Sequence, residues 1–376
     1  MLGAGVGLLV GLGVAVALSW HFSSRVLVPD HSSWSEEVRI EAVASDRIVL
    51  ARSETALWPG FYGLLWQGGH AVVGPISAIG PETVTRQLRD VRGYLAPGAE
   101  AGFDSHVYAG NPRQARGLPF RSVHVRSELG QMPAWLVPGR ASTWVIVVHG
   151  HNDDPQVGLR IAPALHRMGL PTLSITYRND LGAPPSPDGL HHLGLTEWRD
   201  LEAAADYAFD HGATRLVLIG YSMGGAVIGQ FMRRSALAGD AAALILDAPA
   251  LDWSETLAFN VEQIGLPSFA SLPLKSAIGA RIDADWEALD MTSHPEDLHL
   301  PILLFHGTDD ELVPIETSDE LAEELPGQVT YHRVPAAGHT HSWNVDPRLY
   351  ERRVRAFLAK ALKTDRARPL GSGSKR

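Results

Sequence analysis

Five short runs after residue 120 are apolar throughout, without the polar alternation of a strand that has one face in water. A strand of this kind is buried on both faces, which a parallel sheet achieves when helices cover it. Stretches of helical pattern separate the runs, at 159–168, 196–210 and 223–238, with another at 317–325. The pattern predicts an α/β fold with a mostly parallel sheet covered by helices. The runs are residues 145–148, 172–175, 216–219, 243–246 and 302–305.

The part of the chain before residue 120 has a different pattern. Residues 38–43 and 47–50 flank a Ser-Asp turn, and residues 61–66 and 70–73 flank Gly68-Gly69, so both pairs predict β-hairpins. We therefore expect a small β-rich module over residues 23–119. Its histidines, among them His70 and His106, have no partners at metal-ligand spacing, and we expect them to be structural or solvated.

The N-terminus is apolar, with no charged residue from Leu2 to Trp20. As a helix this run would span about 28 Å, close to the thickness of a bilayer core. We expect residues 1–22 to form a single-pass membrane anchor. A cleaved signal peptide, giving a secreted protein, is the alternative, but no Lys or Arg precedes the run. At the other end, the basic and Gly/Ser-rich residues 364–376 predict a disordered tail.

Composition narrows the function. The formal net charge is -10 and no stripe rich in Lys or Arg occurs before the tail, which argues against a nucleic-acid partner. The chain has no cysteine, so thiolate nucleophiles and thiolate zinc sites are excluded. His191 and His192 are adjacent but have no evident third ligand, and we predict no metal site.

The strand 216–219 leads directly into Gly220-Tyr221-Ser222-Met223-Gly224, a G-x-S-x-G motif, and then into a helical pattern. A serine on such a strand-to-helix turn is held in strained backbone angles that expose its hydroxyl. The amide of Met223 then lies at a helix N-terminus, where unpaired N–H groups favour a developing negative charge. Ser222 is therefore a candidate nucleophile.

Polar residues follow the other strands at the edge where parallel sheets bind ligands. A serine hydroxyl needs a base, and the base needs an acid to orient it, and both residue types follow later strands in the chain. In chain order these positions are His149-Gly150-His151, Ser222, Asp247, Asp309-Asp310 and Gly338-His339.

With these motifs, residues 120–363 resemble the α/β-hydrolases; the His149-Gly150 turn and the run from His306 to Pro314 also contribute to the resemblance. The resemblance implies Ser222 as nucleophile, His339 as base and no cofactor. It also implies an oxyanion hole made by the backbone amides of Met223 and His151.

The acid has three candidates. The resemblance places it three residues before the Val-Pro pair, which favours Asp310 over its neighbour Asp309, and Asp247 is a further position used in this fold. For the base, His341 competes with His339, and the Gly-His pairing favours His339. His149 is expected to brace its loop.

The sequence thus predicts a membrane-anchored serine hydrolase that cleaves an ester, thioester or amide of a small acyl substrate through an acyl-enzyme. A serine peptidase is one alternative. Another is a non-catalytic scaffold that binds a partner through its N-terminal module. Residues 251–297 interrupt the strand–helix rhythm and are either a lid or an ordinary helical excursion.

Overall fold

The N-terminal helix α1 (residues 18–27) packs on the α/β part of the chain. The computed structural model describes residues 18–31 and 37–366. Leu27 is buried in the core of the α/β part, and its carbonyl accepts from the amide of His191 at 2.7 Å. The predicted module boundary after residue 22 therefore falls inside α1.

The predicted membrane anchor lies mostly outside the described residues, since only its residues 18–22 are among them. Across residues 18–31 and 37–366, no helix combines the length and the apolar character needed to cross a bilayer.

Residues 38–104 form a closed barrel of six antiparallel strands. In chain order these are β1 (Val38–Val43), β2 (Arg47–Ala51), β3 (Tyr62–Trp66), β4 (Gly69–Ile79), β5 (Thr83–Arg92) and β6 (Glu100–Asp104). The order around the barrel is β1-β2-β5-β4-β3-β6, so both predicted hairpins are present as neighbours. Alternate side chains such as Ile40, Ile48 and Val84 fill the interior and are fully buried.

A buried arginine ties the barrel to the segment that follows β2. The Arg86 guanidinium donates to the carbonyls of Gly74 at 2.9 Å, Ala56 at 3.1 Å, Trp58 at 2.7 Å and Gly60 at 2.7 Å. Burial lowers the pKa of Arg86 to about 10. The four carbonyls are thereby satisfied inside the protein, and residues 56–60 are held in one conformation.

The remaining strands form one eight-stranded sheet. They are β7 (Arg121–Ser127), β8 (Gly130–Val137), β9 (Thr143–Val148), β10 (Thr172–Ile175), β11 (Arg215–Tyr221), β12 (Ala241–Asp247), β13 (Ile302–Gly307) and β14 (Val329–Val334). The order is β14-β13-β12-β11-β9-β10-β8-β7, with β9 to β14 parallel and β7 and β8 antiparallel at one edge. The fold predicted from the apolar runs is confirmed.

Helices cover both faces of this sheet, and each face has its own apolar core. One core includes side chains of α4 and α5, and the other includes side chains of α3 and α10. After α1, the helices are α2 (Pro112–Arg116), α3 (Ala162–Arg167), α4 (Trp198–Asp210), α5 (Met223–Arg234), α6 (Trp253–Gln263), α7 (Leu272–Ile282), α8 (Ile315–Glu324), α9 (Ser342–Val345) and α10 (Pro347–Arg366). The backbone of α10 continues past residue 363, where the domain was predicted to end.

The insertion at 251–297 folds as α6 and α7 with short 3-10 turns. An antiparallel bridge between Asp252 and Asp290 closes its base, and Trp253 and Ile278 are buried in the core. Asn260 on α6 donates to the Leu312 carbonyl at 2.7 Å, which places the insertion beside the loop after β13. Its packing is that of a helical excursion, and a lid role stays a prediction.

The Arg86 contacts predict that substitutions of two arginines on β5 have very different effects on the stability of the protein. We expect Arg86→Met to lower the free energy of unfolding by about 3 kcal/mol, because four carbonyls in buried or partly buried contacts lose a donor. The matched control Arg89→Met, at an exposed position of β5, should change it by less than about 0.5 kcal/mol. Urea unfolding followed by tryptophan fluorescence measures both. Equal stabilities of the two variants would contradict this role of Arg86.

Candidate active site

Ser222 lies on a strained turn between β11 and α5. Its backbone has φ 52° and ψ -121°, a conformation that non-glycine residues rarely adopt. Gly224, the motif glycine that follows Ser222, has no room for a side chain, because a Cβ there would lie 2.3 Å from the Val148 carbonyl oxygen. The turn is therefore packed directly against the end of β9, which holds the serine in place.

Asp310 and His339 come from the loops after β13 and β14 and contact each other. The His339 Nδ1 lies 2.8 Å from Asp310 Oδ2 and 3.1 Å from Oδ1. The other partners of the carboxylate are the backbone N–H groups of Leu312 and Val313, both at 2.9 Å, and His306 Nε2 at 3.2 Å. Burial opposes the charge, but His339 and His306 more than offset it and hold the pKa of Asp310 well below its usual range.

This pairing leaves the two rival acids elsewhere. Asp309 is exposed and accepts from the Thr308 hydroxyl at 2.8 Å. Asp247 is buried at the end of β12 and accepts from the Ser342 hydroxyl at 2.8 Å. Of the three carboxylates predicted from sequence, Asp310 is the one whose oxygens lie at hydrogen-bond distance from His339.

The rival base, His341, faces the barrel. Its ring packs on Trp58 with centroids 4.9 Å apart and on Tyr62 at 5.2 Å, and its Nδ1 lies 3.4 Å from the Tyr62 hydroxyl. Burial, with Arg160 and His339 adding to it, lowers the pKa of His341 to about 3. This neutral ring, packed on aromatic side chains, forms part of the contact between the barrel and the α/β part of the chain.

The loop after β9 passes over the serine. A Cβ on Gly150 would lie 3.0 Å from Ser222 Cβ, so the two segments are in van der Waals contact. Met223 is the first residue of α5, where backbone N–H groups have no partner within the helix. The two residues predicted to supply oxyanion amides, Met223 and His151, thus belong to the elements on either side of Ser222. Their role in an oxyanion hole stays a prediction.

His149 has the environment of a brace. Its Nε2 lies 2.7 Å from Asp180 Oδ2, its Nδ1 lies 2.9 Å from the Gly150 carbonyl oxygen, and its ring stacks on Tyr177 at 4.2 Å. Burial opposes the charge, but Asp180 more than offsets it and raises the pKa of His149 to about 9. The imidazolium donates to both acceptors and holds the start of the loop.

A cavity of about 760 Å³ opens between the barrel and the α/β part of the chain. The α/β part contributes Ser222, His339 and the loops around them. The barrel and its connection contribute the opposite wall, which the sequence analysis did not anticipate because no catalytic motif marks it. None of the lining residues belongs to 251–297, a range that the structure describes in full. The wall residues are Glu54, Leu57, Trp58, Pro59, Ser105 and His106.

His106, expected from sequence to be structural or solvated, is paired with two carboxylates. Its Nε2 lies 2.7 Å from Asp153 Oδ1 and its Nδ1 lies 3.3 Å from Asp104 Oδ1. Burial opposes the charge, but these carboxylates more than offset it and raise the pKa of His106 to about 10; that of Asp153 falls to about 2. Asp154, which lies close enough to share a metal ion with His106 and Asp153, already accepts from the backbone and side chain of Gln156.

Two regions of the chain match known protein families. Residues 187–365 match the prolyl oligopeptidase family, and residues 39–104 match a domain of unknown function, DUF8805. The second range coincides with the strands of the barrel, which supports treating the barrel as a separate unit.

Individual proteins are similar to more than half of the chain. The chain is 28% identical over 247 residues to the uncharacterized protein Rv2307c of Mycobacterium tuberculosis, covering 63% of this chain and 79% of that protein. It is 26% identical over 238 residues to the uncharacterized protein YfhR of Salmonella typhimurium, covering 58% and 72%. Among solved structures, the Pyrococcus furiosus esterase Pf2001 matches with a TM-score of 0.54 and 20% identity, covering 68% of this chain and 95% of that one. The fold is that of an α/β-hydrolase, and the comparisons support a serine hydrolase.

The geometry predicts unequal effects for the two adjacent aspartates. We expect Asp310→Asn to lower kcat for ester hydrolysis by about 10³-fold or more, because the amide cannot orient and stabilise the histidine as the carboxylate does. Asp309→Asn, the matched control, should stay within about twofold of wild type. Steady-state hydrolysis of p-nitrophenyl butyrate measures both. A larger loss in the Asp309 variant would assign the acid to Asp309.

The His106 cluster predicts a pH-dependent stability. The folded state raises the pKa of His106 from 6.5 to about 10, so its contribution is fully present below pH 6.5 and is lost as the pH rises through 10. The groups that face the ring are Asp104, Asp153 and Asp154. We expect the difference in Tm between wild type and His106→Ala to be larger at pH 6 than at pH 10. The exposed His124→Ala serves as control. A difference that grows toward pH 10 would contradict this prediction.

Proposed function

We propose that this protein is a serine hydrolase that cleaves an ester bond through an acyl-enzyme, with Ser222 as nucleophile, His339 as base and Asp310 as the orienting acid. One observation carries the proposal: the strained Ser222 and His339 line the same cavity, and His339 is paired with the buried Asp310 behind it. Backbone strain at a serine is maintained only where surrounding packing enforces it, and such residues cluster at functional sites.

The contacts define a role for each group. Because His339 Nδ1 donates to Asp310, Nε2 is the nitrogen left to take the proton of the Ser222 hydroxyl as its oxygen attacks the substrate carbonyl. The carbonyl oxygen becomes an oxyanion, which the amides of Met223 and His151 would stabilise. The intermediate collapses, His339 returns the proton to the leaving alcohol, and the acyl group stays on Ser222. Water, activated by the same histidine, then releases the acid.

The cavity wall favours an uncharged or cationic substrate with an apolar group. Trp58 and Leu57 on the barrel and Leu312 on the acid loop offer apolar surface. The lining also contains Glu54 and Glu311, while no Lys or Arg is among the residues that the structure places around the cavity. A substrate with a free carboxylate or phosphate near these residues would be repelled.

A serine peptidase is the second candidate, and the match of residues 187–365 to the prolyl oligopeptidase family favours it. Esters and amides pass through the same tetrahedral intermediate, so the triad serves either bond. We place the ester first because esters have the better leaving group. A non-catalytic scaffold would have no need of the strained serine beside a paired acid and histidine.

The proposal includes a membrane anchor at residues 1–22. Its support is the uncharged run from Leu2 to Trp20, together with the half-exposed side chains of Leu18 and Trp20 on α1. An apolar acyl substrate is consistent with a location at a bilayer, and secretion after cleavage of a signal peptide is the alternative.

Labelling with a fluorophosphonate probe tests the catalytic serine. We expect wild type to be labelled and Ser222→Ala to be unlabelled, because the probe needs an activated hydroxyl. The control is Ser105→Ala, since Ser105 also lines the cavity and should leave labelling unchanged. Absence of labelling in folded wild type would remove the serine hydrolase proposal.

Substrate pairs then separate the two bond types. With one acyl group presented as a p-nitrophenyl ester and as an anilide, an esterase should show a kcat/KM for the ester at least about 10³-fold higher than for the anilide. Comparable values would favour the peptidase. Turnover of both by Ser222→Ala would identify a contaminant or an uncatalysed reaction.

A further inference from the structure

We propose that the barrel and the N-terminal segment clamp the oxyanion loop, residues 150–154, from its two sides, and that His106 is a positioning residue for the oxyanion hole. The inference rests on the proposed serine hydrolase function, since it assigns a role within that site. It gives the N-terminal part of the chain a place in the reaction although no nucleophile, base or acid lies there.

The barrel side of the clamp is the pair between His106 and Asp153. The two side chains are 2.7 Å apart, with exposed fractions of 21% and 19%, so the pair is largely shielded from water. Shielding strengthens an ion pair relative to a surface pair. A second contact runs beside it, because the amide of Gly110 donates to Gln156 Oε1 at 3.0 Å. The chain that leaves the barrel is thus joined to both ends of the segment 153–156.

Further contacts orient both partners of this pair. The amide of His106 donates to Asp104 Oδ1 at 2.8 Å, and the His106 ring contacts the same carboxylate. On the loop, the amide of Asp154 donates to Asp153 Oδ1 at 2.6 Å. The carboxylate of Asp153 therefore links the barrel histidine to the backbone of the oxyanion loop, and a movement of one is transmitted to the other.

The C-terminal end of α1 and the segment after it hold the other side. The His151 ring Nε2 lies 2.7 Å from the Val26 carbonyl oxygen, and Asn152 Oδ1 accepts from the amide of Asp30 at 2.9 Å. Asn152 has φ 52°, so the loop turns sharply between these two contacts. Residues 151, 152 and 153 are each bound by a part of the chain that precedes residue 120.

The position of this loop matters because it touches the nucleophile. Gly150 is in contact with Ser222, and the predicted oxyanion donor is the next amide. An oxyanion donor acts when it lies 2.7–3.1 Å from the charged oxygen, and a misplacement of about 1 Å can cost about 10²-fold in rate. A loop held only by its own turn would sample a wider range of positions. The contacts from the barrel and the N-terminal segment therefore fix the position of the donor before the substrate binds.

A clamp of this kind affects the transition state more than substrate binding. The oxyanion exists only after attack, so a displaced donor lowers kcat while KM changes little. If the His106 side chain bound the substrate directly, its removal would raise KM and leave kcat nearly unchanged. This difference separates a positioning role from contact with the substrate and from a general loss of stability.

The experiment compares His106→Ala, Asp153→Ala and the double variant in the full-length chain. The readouts are kcat and KM for p-nitrophenyl butyrate, and the second-order rate of fluorophosphonate labelling, which needs the same hole. We expect each single variant to lower kcat and the labelling rate at least about tenfold, with KM within about twofold. The double variant should be no slower than the slower single variant, because the two residues act as one unit.

Two further variants keep the test valid if alanine impairs folding. His106→Gln and Asp153→Asn retain a hydrogen bond without the charges, and we expect activities between the alanine variants and wild type. The matched control is His294→Ala, which removes a histidine that contacts two carboxylates, Glu287 and Glu296, outside the cavity. It should leave kcat and KM unchanged.

The proposal and the function on which it rests fail in different ways. If wild type is labelled and the His106 and Asp153 variants, folded by circular dichroism, are labelled at the wild-type rate, the clamp is wrong and the hydrolase stands. If KM rises while kcat is unchanged, His106 contacts the substrate and the clamp is also wrong. If folded wild type is not labelled, the proposed function fails first.

Discussion

The parallel pairing of β9, β11, β12, β13 and β14 sets the position of every group in the candidate site. Val148 pairs with Gly220, so the loop that begins at His149 and the turn that carries Ser222 leave the sheet side by side. Gly307 pairs with Val334, which brings the loops of Asp310 and His339 to the same edge. Parallel strands all end at one edge of the sheet, so strand pairing alone brings residues that are far apart in the chain close together there.

The position of the barrel beside the histidine loop depends on a second, smaller set of contacts. Arg160 is fully buried and donates to the carbonyls of Thr340 and Ser105, at 2.9 Å and 3.3 Å, and to Asn344 Oδ1 at 2.8 Å. Asn344 in turn donates to the carbonyls of Phe61 and Ser105. Thr340 follows His339, so one buried hub joins the histidine loop to the barrel. The cavity wall and the site behind it are therefore parts of one packed structure.

The sequence predicted the elements of the site better than their surroundings. Local patterns predicted the hairpins of the barrel and the apolar strands of the sheet, since hydrophobic periodicity and turn residues are properties of neighbouring positions in the chain. The resemblance favoured Asp310 and His339 but left other acids and His341 open as alternatives. The closure of six strands into a barrel was not predicted, and neither was its location over the cavity. The partners of His106 could not be predicted, because Asp104 and Asp153 lie on two different units and no sequence spacing relates them to the histidine.

By itself the sequence determined the α/β class, the strained turn at Ser222 and the residue types that can move a proton beside it. These follow from short-range periodicity and from the steric demands of a few glycines. Only the tertiary structure decided which aspartate meets the histidine, which histidine instead packs against the barrel, and what forms the far wall of the cavity. Those outcomes depend on contacts between segments distant in sequence, whose geometry is set by the packing of whole elements and not by any local pattern.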